Sequence, residues 1–156
     1  MNISIPVNCL DIDRLLAGWR WLCPEPMTLV ARNAFGDLFL QSGDGKILLL
    51  EVEAGRLTEI ATTIVSFHHL LDSGENREQL FAELEASRFA ERGFVPGITE
   101  CIGFKMPLVF AECSAAPDNV YIADLYERIS FLGDLHRQIA DMPDGAKIRL
   151  RVKGTL

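Results

Sequence analysis

Few side chains in this 156-residue chain could attack a carbonyl, shuttle a proton or hold a metal: four cysteines (Cys9, Cys23, Cys101, Cys113) and three histidines (His68, His69, His136). A thiol becomes a nucleophile when a neighbouring base takes its proton. Cys113 with His136 is the one pairing that could serve as the centre of a small hydrolase, provided the fold brings them together. Zinc and redox motifs need cysteines in close pairs, and none of the four is so placed. The cysteines read as reduced, with apolar neighbours such as Leu22 beside Cys23 and Ile102 beside Cys101 that suit a small buried hydrophobe. His68 and His69 are adjacent on an expected helix, so their side chains diverge by about 100° and cannot easily share a metal. His68 and His136 both read as boundary histidines at the edge of an apolar stripe. No G-x-S-x-G elbow, H-E-x-x-H helix, Walker loop or dinucleotide fingerprint occurs. The expectation is a non-enzymatic protein with no catalytic residue, no metal ligand and no cofactor.

The carboxylates offer a different kind of function. Glu51 and Glu53 stand two apart on an expected strand, which would send both from one sheet face. With Asp37, Asp44 and Glu59 they could form an acidic partner-binding surface able to meet a basic groove in another protein; the plain alternative is a solvated face. Fifteen basic against twenty-two acidic side chains leave a net charge of -7. That balance disfavours direct nucleic-acid binding, whose footprint is a basic excess, and suits a basic protein partner. Lys105, the single charge in "GFKMP", is expected to reach water or a carboxylate.

These residues must be held by elements that can be read from apolar spacing. Residues 8 to 22 predict a short helix capped by Asn8 or Asp11 and ended by Pro24 and Pro26, with both tryptophans anchoring it on the core. "TLVAR", "GDLFLQ", "KILLLEV" and "GRLTEIA" predict four strands. Residues 42 to 45 and Ala54-Gly55 supply the turns of an antiparallel meander with one apolar face. Ile60, Ile64, Phe67 and Leu71, at intervals of four, three and four, mark a helix stripe through "TTIVSFHHLLD". A single further helix is expected over residues 76 to 93, with Leu80, Phe81, Leu84 and Phe89 inward and Gly93 as its stop. "ECIGFKMPLVF" and "VYIAD" predict extended segments around a loop at residues 114 to 119. Asp124 then caps a last helix with Leu125, Ile129, Leu132, Leu135 or His136, and Ile139 on its buried side. Gly133 inside that helix predicts a close approach to a neighbouring element. "AKIRLRVK" predicts an amphipathic C-terminal strand whose charges protect an edge.

The length suits one domain over residues 1 to 156, with residues 1 to 22 as its N-terminal helical segment. No apolar stretch approaches the roughly 18 residues of a membrane span, and the N-terminus lacks a secretory pattern, so a cytoplasmic protein without a membrane partner is expected.

Three blocks carry a resemblance: "FGDLFL" with "DGKILLLEVEAGRLTEIA", "CIGFKMPLVF", and "DLYERISFLGDLHRQIADMPDG". Together, over residues 19 to 148, they resemble the C-terminal domain of type VI secretion DNase-immunity proteins, long catalogued as a domain of unknown function. The chain departs from that pattern at Phe110-Ala111-Glu112, where the family often has a glycine pair. The resemblance implies an α+β, Smi1/Knr4-like architecture, with an antiparallel meander packed against several helices. It also implies an antitoxin-like bacterial protein that binds and neutralises a cognate secreted toxin, such as a nuclease. The alternative is a small-molecule-sensing or regulatory domain with a pocket between the sheet and the C-terminal helix, near Cys113, Tyr121 and His136.

Overall fold

The computed structural model describes residues 5–107 and 119–143, and its elements are α+β. Helix α1 (Ile12–Leu16) starts where Asp11 turns its carboxylate back onto the amides of Asp13 and Arg14, at 3.1 and 3.3 Å. Such a cap satisfies donors the first turn would otherwise leave unpaired. The helix runs on only as a 3-10 turn (Ala17–Trp19), so it is shorter than the spacing over residues 8 to 22 suggested. Trp19 is fully buried and donates its indole N–H to the Ile129 carbonyl at 2.8 Å. Trp21 remains 37% exposed, reaching the carbonyls of Gly18 and Gly133 instead. One tryptophan, not two, anchors the core. Cys23 and Cys101 are buried as expected, whereas Cys9 is exposed.

Strands β1 (Thr28–Arg32), β2 (Leu38–Gln41), β3 (Ile47–Glu51) and β4 (Arg56–Ala61) form an antiparallel sheet in chain order. The β2–β3 turn closes through the Gly45 amide on the Ser42 carbonyl at 3.0 Å, with Gly45 at φ +91°. One correction concerns the faces. Leu38, Leu40 and Leu50 pack toward α1 and the last helix, while Phe39, Ile47 and Leu49 pack on the opposite side. Both faces are covered, which is why "LFL" and "ILLL" run apolar without alternation.

The second face is covered by α2 (Ile64–Leu70) and α3 (Gly74–Phe81), with Phe39 lying 5.5 Å from Phe67 and 4.7 Å from Phe81 between ring centroids. Thr63 and Ser66 form a reciprocal cap at the start of α2, so Ile60, which the spacing put on this helix's stripe, belongs instead to β4. The single helix expected over residues 76 to 93 is in fact two, because Ala82 takes a left-handed conformation at φ +49° and α4 (Glu83–Glu91) begins beyond it. Phe81 belongs to the cluster under the sheet and Phe89 to a separate one with Ala34, Ile102 and Phe104, so the break redirects the chain from one to the other. Leu84, assigned inward by its spacing, is 56% exposed. The joint is held by Glu78, which accepts from the Leu84 amide at 3.0 Å, and by an Arg77–Glu83 ion pair at 2.7 Å. Helix α4 stops at Gly93, whose amide and that of Phe94 return to the carbonyls of Ala90 and Phe89, both at 3.0 Å. This is a Schellman closure, with Phe94 edge-on to Phe89.

Strands β5 (Glu100–Phe104) and β6 (Val120–Asp124) pair antiparallel, and Asp124 caps α5 (Leu125–Ile139) by accepting from the Glu127 amide at 3.0 Å. The expected approach at Gly133 is present: a Cβ there would stand 2.4 Å from the Gly18 carbonyl oxygen. Cys113 and the C-terminal strand expected at residues 146 to 153 lie outside the described residues, as does most of the loop at 114 to 119. No described helix is long and apolar enough to cross a membrane.

Candidate functional site

The five carboxylates singled out by sequence are distributed by the meander itself. The β1–β2 and β3–β4 turns lie at one end of the sheet and the β2–β3 turn at the other. Asp37, Glu51 and Glu53 therefore sit at one end, and Asp44 roughly 15 Å away along the strands. Asp44 is exposed, accepts from the Ser42 hydroxyl and lies 3.6 Å from Lys46. The hydroxyl bond, with help from Lys46, holds its carboxyl below the usual range. Glu51 pairs with Arg56 at 2.7 Å. Glu59 is exposed, and its register opposite Leu48 puts it on the other face from Glu51, which stands opposite Arg56.

Two of the five face inward. Strand β3 ends at Glu51, so Glu53 is in the turn and does not share a sheet face with Glu51 as its spacing implied. Its carboxylate pairs with Arg128 of α5, which is only 4% exposed. A charge buried this far is tolerated only with a partner. Asp37 is held in the β1–β2 turn, accepting from the Val52 amide at 2.9 Å and from the Asn33 side chain at 3.0 Å. Burial pushes its carboxyl up to about 6, against the pull of those two hydrogen bonds and with a smaller push from Glu51 and Glu53. Asn33 is fully used: its Oδ1 accepts from the amides of Phe35 and Asp37, and its Nδ2 also donates to the Leu80 carbonyl at 3.2 Å. Asp37 and Glu53 therefore brace the two turns, leaving Asp44, Glu51 and Glu59 as the outward carboxylates of the set.

The candidate base His136 is buried beside Trp19, 5.8 Å between ring centroids, with one ring nitrogen 3.0 Å from the Glu53 carbonyl oxygen. That contact makes Nε2 the protonated nitrogen of a neutral ring. Burial draws its pKa down, opposed by the bond to Glu53. Nδ1 faces Gly55 so closely that a Cβ there would stand 2.3 Å from it, so the ring is packed on both nitrogens. It is a structural bridge between the β3–β4 turn and α5. Tyr121, the other described residue of the pocket expected on this side, packs partly buried against the same core. Among the described thiols, burial raises both Cys23 and Cys101, the latter to about 12, which keeps them protonated near neutral pH. His68 is exposed, and so is Lys105, as its isolated charge suggested.

Among the described residues, open space lies on the other side of the sheet. Between residues 5 to 7, β1, α2 and the α3–α4 joint lies a cavity of about 260 Å³, with Val30, Phe67, Leu71 and Phe81 among its walls. Arg32, Arg77 and Glu83 also border it. Arg32 is 1% exposed, and its guanidinium donates to the backbone carbonyls of Asn33, Gly97, Ile98 and Glu100 at 2.8 to 3.2 Å. Its Nε has no hydrogen-bond partner. Sequence reasoning passed over both buried arginines. The signal for Arg128 was its place, three residues after Leu125 and four before Leu132, on the apolar stripe of α5. Arg32 had no such signal, because its partners are carbonyls from a loop some 65 residues away.

No protein-family model matches the chain, and no curated protein matches it.

Proposed function

We propose that this chain is a non-enzymatic immunity protein that binds a cognate secreted toxin of the nuclease type in the bacterial cytoplasm and occludes it. The observation that carries the reading is the net charge of -7, with outward carboxylates at Asp44, Glu51 and Glu59 spread over both faces and both ends of the four-stranded sheet. A nuclease active site is basic because it must receive phosphates, so a chain of strongly acidic balance is drawn to it electrostatically. The three blocks that resemble the DNase-immunity domain support the same reading, since they supply β2 to β4, β5 and α5. Asp37 and Glu53 contribute from beneath, by fixing the turns.

The test is to mix the purified chain with the product of a neighbouring toxin-like gene. A complex that suppresses nuclease activity is expected, with an association rate that falls as salt rises. Asp44→Lys with Glu59→Lys should slow association while leaving the thermal midpoint nearly unchanged. Absence of any complex with neighbouring gene products would remove the proposal.

A further inference from the structure

The cavity bordering β1 is lined by none of the acidic residues of the proposed toxin surface, and its walls and charges point to a ligand of their own. We infer that it is a binding site for a small apolar carboxylic acid, of the size of a single aromatic ring or a branched chain bearing one carboxylate. At about 260 Å³ it is near the lower end of small-molecule sites, which run from about 300 to 1,000 Å³. Phe67, Leu71, Phe81 and Val30 would receive the apolar body, and they disfavour phosphate or sulfate, which would lose hydration against them without return.

The charge requirement comes from Arg32. Of the charged groups on the cavity, Arg77 and Glu83 neutralise each other at 2.7 Å. Arg32 is bound only by carbonyl oxygens, and none of the described carboxylates forms an ion pair with it. Carbonyl dipoles offset part of the cost of burying a guanidinium but leave its net charge standing. The cavity is open to solvent past Pro6 and His68, but Arg32 forms part of its wall. Once a ligand fills the space and displaces that water, the guanidinium's field favours an anion over a neutral molecule of the same shape. The ligand is therefore selected by charge as well as shape.

The experiment uses the full chain with benzoate, phenylacetate and isovalerate as probes, and benzamide and inorganic phosphate as controls, read by thermal shift and calorimetry. The carboxylates should raise the midpoint in proportion to the logarithm of their concentration, with benzamide at least about tenfold weaker and phosphate inert. Ala31→Leu, which builds into the cavity, should abolish the response while the chain stays folded. Arg32→Met should bring benzoate and benzamide to equal affinity; if that variant does not fold, the Ala31→Leu result decides. The inference is overturned if no carboxylate shifts the midpoint at about 10 mM. Equal binding of benzamide and benzoate by the unaltered chain, or an unchanged response in Ala31→Leu, would overturn it as well.

Discussion

The two sides of the four-stranded sheet solve the same burial problem in opposite ways. On one side α5, a single helix of fifteen residues, lies close enough to the α1 segment for two glycines to face each other, and a buried ion pair and a neutral histidine tie it to the β3–β4 turn. On the other, α2 and α3 are short helices of seven and eight residues and leave a cavity of about 260 Å³ beneath residues 5 to 7. A long helix can follow a sheet with one continuous stripe, whereas two short helices joined at an angle cover it in pieces.

The sharpest way to break the comparison is to remove the ion pair that closes the α5 side. Glu53→Ala leaves the Arg128 guanidinium buried without its carboxylate, and a loss of about 3 to 5 kcal/mol is expected. Urea unfolding should show this as a lower midpoint with the slope retained, and Arg128→Met in the same chain should restore much of it. A loss below about 1 kcal/mol would mean that water reaches the arginine and that this side is not closed.

Asp37 tests the same end of the sheet through pH. Its folded pKa of about 6 lies above its ordinary value of 3.8, so between those limits the native state binds more protons than the unfolded chain. The stability it contributes is full below about 3.8 and is lost as pH rises through about 6, a difference on the order of 3 kcal/mol. His136 acts in the opposite sense. Its folded pKa is lowered, so the stability it gives is present above 6.5 and declines as pH falls below that value. The informative measurement is therefore the pH profile of the unaltered chain minus that of Asp37→Asn, in which the His136 contribution cancels. A flat difference between pH 4 and 6 would place Asp37 in water.

How much of this was legible in the sequence follows physical range. The four strands, the turn glycines, the Asp124 cap and the close approach at Gly133 are set by neighbours a few residues away or by a single stripe, and they were readable. The break at Ala82 was not, because Leu80, Phe81, Leu84 and Phe89 fit one helical stripe, and alanine carries no mark of a left-handed residue. The inward turn of Glu53 depended on where β3 ends, a matter of two residues. Asp37 and Glu53 looked like surface carboxylates because their partners, Val52 and Arg128, lie fifteen and seventy-five residues away. Charge and spacing alone therefore showed neither that two of the five carboxylates hold turns nor that the other three lie apart on the sheet.

The smallest expected effects give the finest comparison, since they come from one substitution made on each side. Gly133→Ala should gain about 1 kcal/mol from helix propensity, but its Cβ would stand 2.4 Å from the Gly18 carbonyl oxygen, a backbone atom that can yield only if α5 moves. A net loss of about 1 to 3 kcal/mol is expected. Gly74→Ala, at the first residue of α3, meets nothing within 4 Å and should change stability by no more than about 0.5 kcal/mol, in the favourable direction. Both are read from denaturant midpoints. If Gly133→Ala proved neutral, α5 would be free to slide on α1, and the Trp19 bond to Ile129 would be the first contact to show it, as a loss of protection at the indole N–H. If Gly74→Ala were the costly one, α3 would be pressed against something near its start, and the spare volume assigned to that side would have to be smaller than its walls imply.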